Sequence, residues 1–408
     1  MSGHHQVTEV DPASVTISAK HGLWAKLPII FFCLSGIGIG LTLMGGFKSH
    51  EQIKQFYFSY LTAFLFWLSI GLGGLFFVLV QHAARAGWSV IVRRMAETLI
   101  APLALFAVLF IPVALGAHDL FHWTHAEAVA KDPILQHKAA YLNLGRFYTF
   151  AAIYFVIWGG FGFWFFKRST QQDKSGDRQL TRKMQIVSGP ALLLYALTVT
   201  YAAVDWIMSL EPHWYSTMFG VYYFAGSVVG MFAVLTLIAM AARRAKVTAD
   251  LLTVEHFHDL GKLLFAFTVF WAYIAFSQYM LIWYANIPEE TAWYAQRWPG
   301  AWRKISVMIA VGHFVVPFFF LMTRITKRAR LPLILAALWM MVIHWVDVYW
   351  LVMPTLHPET VHLGLTDLGC TLAIGGLYLG FVTWLWRKHP LIPVKDPRLA
   401  ESAAFENF

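Results

Sequence analysis

Charge is what this sequence has least of. Of its 408 residues only 13% are Asp, Glu, Lys or Arg, about half the share of an ordinary soluble domain. That shortage, with 58% hydrophobic residues and a mean hydropathy of +0.58, excludes a soluble fold of this size. Cysteine is scarce as well. Cys33 and Cys370 form no CxxC, no CxxCH haem-attachment site and no iron–sulfur ligand set. They read as two packed thiols, and no metal is expected on this chain. The N-terminus, MSGHHQVTEVDPASV, has no basic stretch leading into an apolar core and no small-residue cleavage site, so a removed signal peptide is not expected. There is no clustered basic surface, so no nucleic-acid partner is expected either.

What the sequence has is long apolar runs. Ten lie near 27–46, 56–82, 98–116, 144–167, 189–209, 215–242, 259–284, 304–323, 331–352 and 363–386. A helix crosses a bilayer with about 20 such residues. The fold class is therefore an all-α polytopic membrane protein of about ten spans. The loops are short, the longest at 117–143 and 168–188, with room for small amphipathic elements at most. Of the 31 Lys and Arg, 22 fall on the side shared by both termini, seven on the other, and Arg146 and Lys262 inside helix ends. The positive-inside rule then places both termini in the cytoplasm, and the net charge of +9 reads as topology.

Two span ends are alike. Val204-Asp205-Trp206 runs on to Pro212, and Val346-Asp347-Val348 runs on to Pro354. Four spans separate them, so the orientation is kept. A parallel repeat follows. Residues 56–214 form a first four-helix bundle (spans 2–5), and 215–354 a second (spans 6–9). A peripheral first span (27–55) and tenth span (355–388) flank them, between cytoplasmic tails at 1–26 and 389–408. An aspartate below the surface in each bundle is costly unless paired. Each marks either a site or a cap near the interface.

Polar residues gather in three places. Between Glu255 and Glu290, Lys262, Tyr273, Ser277 and Tyr284 fall within about 60° on one helix face, a stripe suited to protein or water. The outer end of the first bundle carries His118, Asp119, His122, His125, Arg146, Tyr148, Thr198, Tyr201 and Asp205. Such groups suit a quinol site, where each hydroxyl needs a proton acceptor; His122 and His125 read as loop residues. The second bundle carries His313 near mid-membrane, His344 and Asp347 at i, i+3, and Asp367 entering span 10. With Lys262 and Tyr273 these form candidate steps of a proton relay; separately satisfied histidines are the alternative. A haem between His313 and His344 is disfavoured, because only one such pair exists and Asp347 stands beside it. Trp283, Trp293, Trp298 and Trp302 suit an interfacial belt or a contact with a peripheral subunit.

Three long strings carry a resemblance: VQHAARAGWSVIVRRMAE (80–97), VDWIMSLEPHWYSTMFGVYYFAGS (204–227) and EHFHDLGKLLFAFTVFWAYIAFSQYMLIWYANIPEET (255–291). Over nearly its whole length the chain resembles the NrfD/polysulfide-reductase family of membrane subunits, and within it the ActF-type subunits of bacterial alternative complex III. The resemblance implies two four-helix bundles in the bacterial inner membrane. It also implies a complex that oxidises menaquinol or ubiquinol. Electrons would pass through partner subunits bearing iron–sulfur clusters and c-type haems to a cytochrome c or a terminal oxidase. A second NrfD-like membrane subunit would be the better candidate for the quinol site. By analogy the quinone-type positions are His118, Arg146 and Asp205, and the proton-type positions are Lys262, His313, His344, Asp347 and Asp367. The chain would bring no metal of its own and would not act alone. A secondary transporter and a structural anchor for redox subunits are the competing readings.

Overall fold

The computed structural model describes residues 10–47 and 49–407, so part of the expected tail 1–26 and the last residue of 389–408 lie outside the described residues. Among these residues there are helices and no strands. Ten helices are long and apolar enough to span a bilayer: α1 (Leu23–Met44), α2 (His50–Ala83), α3 (Val90–Leu115), α4 (Leu144–Ser175), α5 (Arg178–Leu210), α6 (Phe219–Arg244), α7 (Val254–Ala285), α8 (Trp302–Met322), α9 (Arg330–Thr355) and α10 (Leu365–Trp386). The chain is an all-α, multi-pass membrane protein.

Several helices outrun the apolar segments. The 32 residues of α4 make about 48 Å of helix against a hydrocarbon core of about 30 Å. Much of the expected loop 168–188 is therefore helix. Gly176, at φ +66°, closes α4, and the Asp177 carboxylate accepts from the Gln179 amide to start α5. Likewise α3 begins at Val90, inside the expected loop 83–97, and a tight turn at Ala101–Ala104 with Pro102 interrupts it. Ser49 and Asn143 cap α2 and α4 by accepting from the amides of Gln52 and Arg146. The 117–143 loop holds three short α-helices and one 3-10 turn.

The two bundles pack in the same circuit. In α2–α5 and again in α6–α9, the first helix touches the second and fourth, and the third touches the second and fourth. The two first helices, α2 and α6, pack on each other at the centre and are buried along most of their length. Gly73 makes this approach workable, since a Cβ there would lie 2.4 Å from the Ser227 carbonyl oxygen. α10 lies against α2, and α1 packs chiefly on α10. The termini meet: the Ile17 amide donates to Trp386 O, and the Leu391 amide to Val15 O. We call their side the terminal face and the other the distal face. The segment after α10, expected as a tail, is packed there with Leu391, Ile392 and Asp396 buried.

Candidate functional site

The repeat places one buried aspartate near the distal end of each bundle, and Asp205 and Asp347 are both only 2% exposed. A buried carboxylate persists where donors or a cation compensate its lost hydration. The two are compensated differently. Asp205 Oδ1 accepts from the Tyr141 hydroxyl (2.8 Å) and Arg146 Nη1 (2.9 Å), and Oδ2 from the Tyr154 hydroxyl (2.7 Å). The guanidinium of Arg146 lies 3.4 Å from the Tyr141 ring centroid and 4.4 Å from that of Phe150. Burial, and then the Asp205 charge, push the Tyr141 hydroxyl above its ordinary range. The result is a neutral, hydrogen-bonded knot joining α4, α5 and the loop before α4.

The structure joins Arg146 to Asp205 and leaves His118 out. His118 is exposed in the loop after α3, its ring centroid 3.9 Å from that of His125, with the Thr124 hydroxyl at 3.3 Å. None of these contacts reaches Arg146 or Asp205, so the expected three-residue quinone site is not assembled. An apolar groove of about 610 Å³ does run between α3 and α4, lined by Ala104, Phe110, Tyr148, Phe155 and Gly159. Neither Arg146 nor Asp205 lines it, and the Tyr148 hydroxyl is spent on Ala114 O (3.0 Å).

Among the described residues no arginine or lysine contacts Asp347. Its Oδ1 accepts from the Tyr222 hydroxyl of α6 (2.5 Å), and its Oδ2 from Trp271 Nε1 of α7 (3.2 Å). His313 Nδ1 stands 3.9 Å from Oδ2. His313 sits on a π turn, Ala310–Val315, inside α8, where one extra residue re-aims the side chain. Its ring is 3.8 Å from Trp271 and 6.4 Å from His344. His344 lies one turn before Asp347 on α9, and its Nε2 is 2.8 Å from Ser69 Oγ of α2. Gly230 on α6 clears the space, since a Cβ there would fall 2.6 Å from His344 Cδ2. Among the described residues, both nitrogens of His313 and Nδ1 of His344 are buried without a hydrogen-bond partner. Such atoms call for an explanation, and a catalytic or proton-exchanging role is one. Asp347 lies about 12 Å of helix before Thr355, so the cluster sits well within the apolar span Arg330–Thr355.

The other expected relay residues lie elsewhere. Asp367 caps α10: its Oδ2 accepts from the Gly364 amide (2.8 Å) and its Oδ1 from the Ser59 hydroxyl (2.7 Å). Ser59 is ten residues, about 15 Å, along α2 from Ser69, so Asp367 is remote from His344. Lys262 pairs with Asp259 and donates to Asn407, and Tyr273 is 65% exposed. The stripe is real but faces away from the bundle. Trp271, two residues before Tyr273 and so about 200° around the helix, lies on the buried face with His256, Leu260, Leu264, Thr268 and Gln278. The expected ladder reduces to His313, His344 and Asp347.

Several functional-looking groups escaped the sequence reading. Ser69, Tyr222 and Trp271 complete the Asp347 cluster. Arg297 is buried beside Glu211 at the distal face (3.0 Å); the visible signal was a lone cation among Trp293, Trp298 and Trp302. Trp293 and Trp302 are in fact buried, while Trp283 and Trp298 are exposed. At the terminal face Arg94 meets Glu97 (2.9 Å) and Asp173 (2.7 Å), and Arg93 meets Asp396. Among the described residues no three His, Cys, Asp or Glu side chains converge as a metal-ligand set. No protein-family model matches the chain, and no curated protein matches it.

Proposed function

We propose that this chain is the membrane subunit of a quinol:cytochrome c, or quinol:terminal oxidase, oxidoreductase complex, and that its own part is to carry protons. On this reading it sits in a bacterial inner membrane with both termini cytoplasmic, beside a second NrfD-like subunit, an iron–sulfur subunit and c-type haem subunits. The terminal face is then cytoplasmic, which agrees with the excess of Lys and Arg there.

The observation that carries the reading is the buried group of His313, His344 and Asp347. A proton carrier inside a membrane needs groups that change charge without a fixed counter-ion locking them. Asp347 is held by two neutral donors, and the imidazoles beside it keep unpaired nitrogens. A proton on His313 Nδ1 faces Asp347 Oδ2 across 3.9 Å, so a small rotation of the ring completes the transfer. Asp347 then holds the proton as a neutral acid, with Tyr222 fixing one oxygen. His344 reaches toward the bundle interface through Ser69, whose hydroxyl donates to Phe66 O. The quinone role receives less support, since Arg146 and Asp205 already satisfy each other. A secondary transporter would line a substrate cavity with its broken helix; at the π turn of α8 the space is taken by His313 and Trp271.

The test is Asp347→Asn and His344→Leu in the intact complex. Proton release per electron should fall in both, with the subunits still assembled. Unchanged release per electron ends the proton-carrying reading. Purification of this chain without haem- and cluster-bearing partners, with solute transport by it alone, ends the complex reading.

A further inference from the structure

The next charged layer above Asp347 is a pair of residues that no relay expectation included. Arg297 is buried in the loop before α8. Its Nε donates to Trp350 O (3.3 Å), its Nη1 to Trp293 O (2.9 Å), and its Nη2 to Leu351 O (3.2 Å) and Glu211 Oε1 (3.0 Å). Trp350 and Leu351 stand three and four residues beyond Asp347 on the same helix, so the guanidinium is anchored at least one turn outward of Asp347. Its flat face rests 3.6 Å from the Trp293 ring centroid, and Trp293 stacks on Trp214 at 4.7 Å. With three carbonyls and a ring engaged, this cation is fixed.

Glu211 stands on the outer side of that cation. It belongs to the link between the two bundles, just past the end of α5. Its Oε1 takes both Arg297 and the Thr355 hydroxyl (3.2 Å), while Oε2 has no protein partner among the described residues. Glu211 also lines a distal vestibule of about 450 Å³ with His122, His213 and Glu289. One oxygen is thus in the buried pair, and the side chain borders the open space. From the inside outward the order is Ser69–His344, His313, Asp347 with Tyr222, Arg297, Glu211, vestibule.

We infer that Glu211 is the proton-release group of the second bundle and that Arg297, anchored on the turn of α9 beyond Asp347, is its counter-charge. The inference rests on the proton-carrying role of Asp347. In the outward step Asp347 gives up its proton and becomes a carboxylate, and the Glu211 carboxylate gains one and becomes an acid. No net charge is created, because one acid ionises as the other is neutralised. Glu211 then gives its proton to water in the vestibule and pairs with Arg297 again, and Asp347 is reprotonated from His313.

The experiment uses the full chain, isolated from its native membrane with the subunits that stay bound and placed in sealed vesicles. Proton release on the distal side is followed with a pH-sensitive dye during turnover, over a range of pH. Glu211→Gln should slow release about tenfold or more and flatten its pH profile, with the melting temperature kept. Glu211→Asp should restore most of the rate. Arg297→Gln should slow release, and Arg297→Lys should recover part of it. Wild-type release in Glu211→Gln, with Asp347→Asn blocked, overturns the release role of Glu211 and leaves the relay. Wild-type release in Asp347→Asn overturns the relay itself. Equal losses in Glu211→Gln and Glu211→Asp, tracking lost stability, make Glu211 a packing residue and also overturn the inference.

Discussion

Arg146→Gln is the sharpest test of the knot in the first bundle. The variant leaves the Asp205 carboxylate buried with two tyrosine hydroxyls and no cation. Breaking a buried pair by removing one partner costs about 3–5 kcal/mol. The Arg146 side chain is 16% exposed against 2% for Asp205, so water relieves part of this, and about 3 kcal/mol is expected. That is a factor on the order of 100 in the folded-to-unfolded ratio. Asp205→Asn should cost less, about 1–2 kcal/mol, because Arg146 keeps its two aromatic rings and some water. The double variant should then lie at least 1 kcal/mol below the sum of the singles, as expected for residues in direct contact. Equilibrium unfolding in mixed micelles, read by tryptophan fluorescence, measures all three. The reasoning fails if Arg146→Gln unfolds like the wild type while quinol turnover in the complex falls. Arg146 would then be a binding residue, and the quinone site expected from the sequence would return.

Gly73→Ala should destabilise the molecule by about 1–3 kcal/mol, because the new methyl meets backbone of α6, which cannot swing aside as a flexible side chain would. A wild-type unfolding midpoint would show that α2 and α6 pack more loosely than described. Asp367→Ala removes a cap and should cost about 1 kcal/mol with proton release per electron unchanged; lost release at normal stability would return Asp367 to the relay. His357, in the loop after α9, is held below its ordinary pKa by burial and then by His362. Its neutral form is therefore favoured in the fold. Stability from this group is present above the unfolded value of 6.5 and declines as pH falls below it, so hydrogen-exchange protection of the loop 356–364 should drop on acidification. His357→Gln should remove that drop; the same drop in the variant would assign it to another group.

The ten spans were legible because runs of about 20 apolar residues have few other uses. Their ends were not. Hydropathy sees the hydrocarbon layer, whereas α4 continues as polar helix to Ser175 and α3 starts three residues before Arg93 and Arg94. Periodicity placed Lys262, Tyr273 and Tyr284 on one face correctly, yet a period names a face and not its neighbour. The buried face of α7 carries its own polar groups, Trp271 and Gln278, and nothing local says which set points inward. Asp205 and Arg146 were legible as ends of adjacent helices, but Tyr141 sits in a loop and Ser69 in an otherwise ordinary apolar run. His313 was legible as a buried histidine; the π turn that aims it was not, because no proline or glycine pattern specifies that register.

The two aspartates show what the repeat allowed. At 2.9 Å an arginine attracts a carboxylate by about 6 kcal/mol at an effective dielectric of 20. Such a pair holds its charge, and Asp205 is well suited to fasten α4 to α5 and poorly suited to trade protons. In the second bundle the cation stands one turn further out. There the arginine makes no contact with Asp347, whose oxygens accept from Tyr222 and Trp271, so no ion pair fixes its charge. The circuit of helices is the same in both bundles, so the difference lies in where one arginine is anchored. Arg146 is carried on the helix next to Asp205. Arg297 is carried on a loop and seated by the carbonyls of Trp293, Trp350 and Leu351, with Glu211 from the other bundle as its partner. The link that ends the first bundle thereby sets the charge balance of the second. A disturbance of the Arg146–Asp205 knot has a short route to Glu211, six residues further along the same chain.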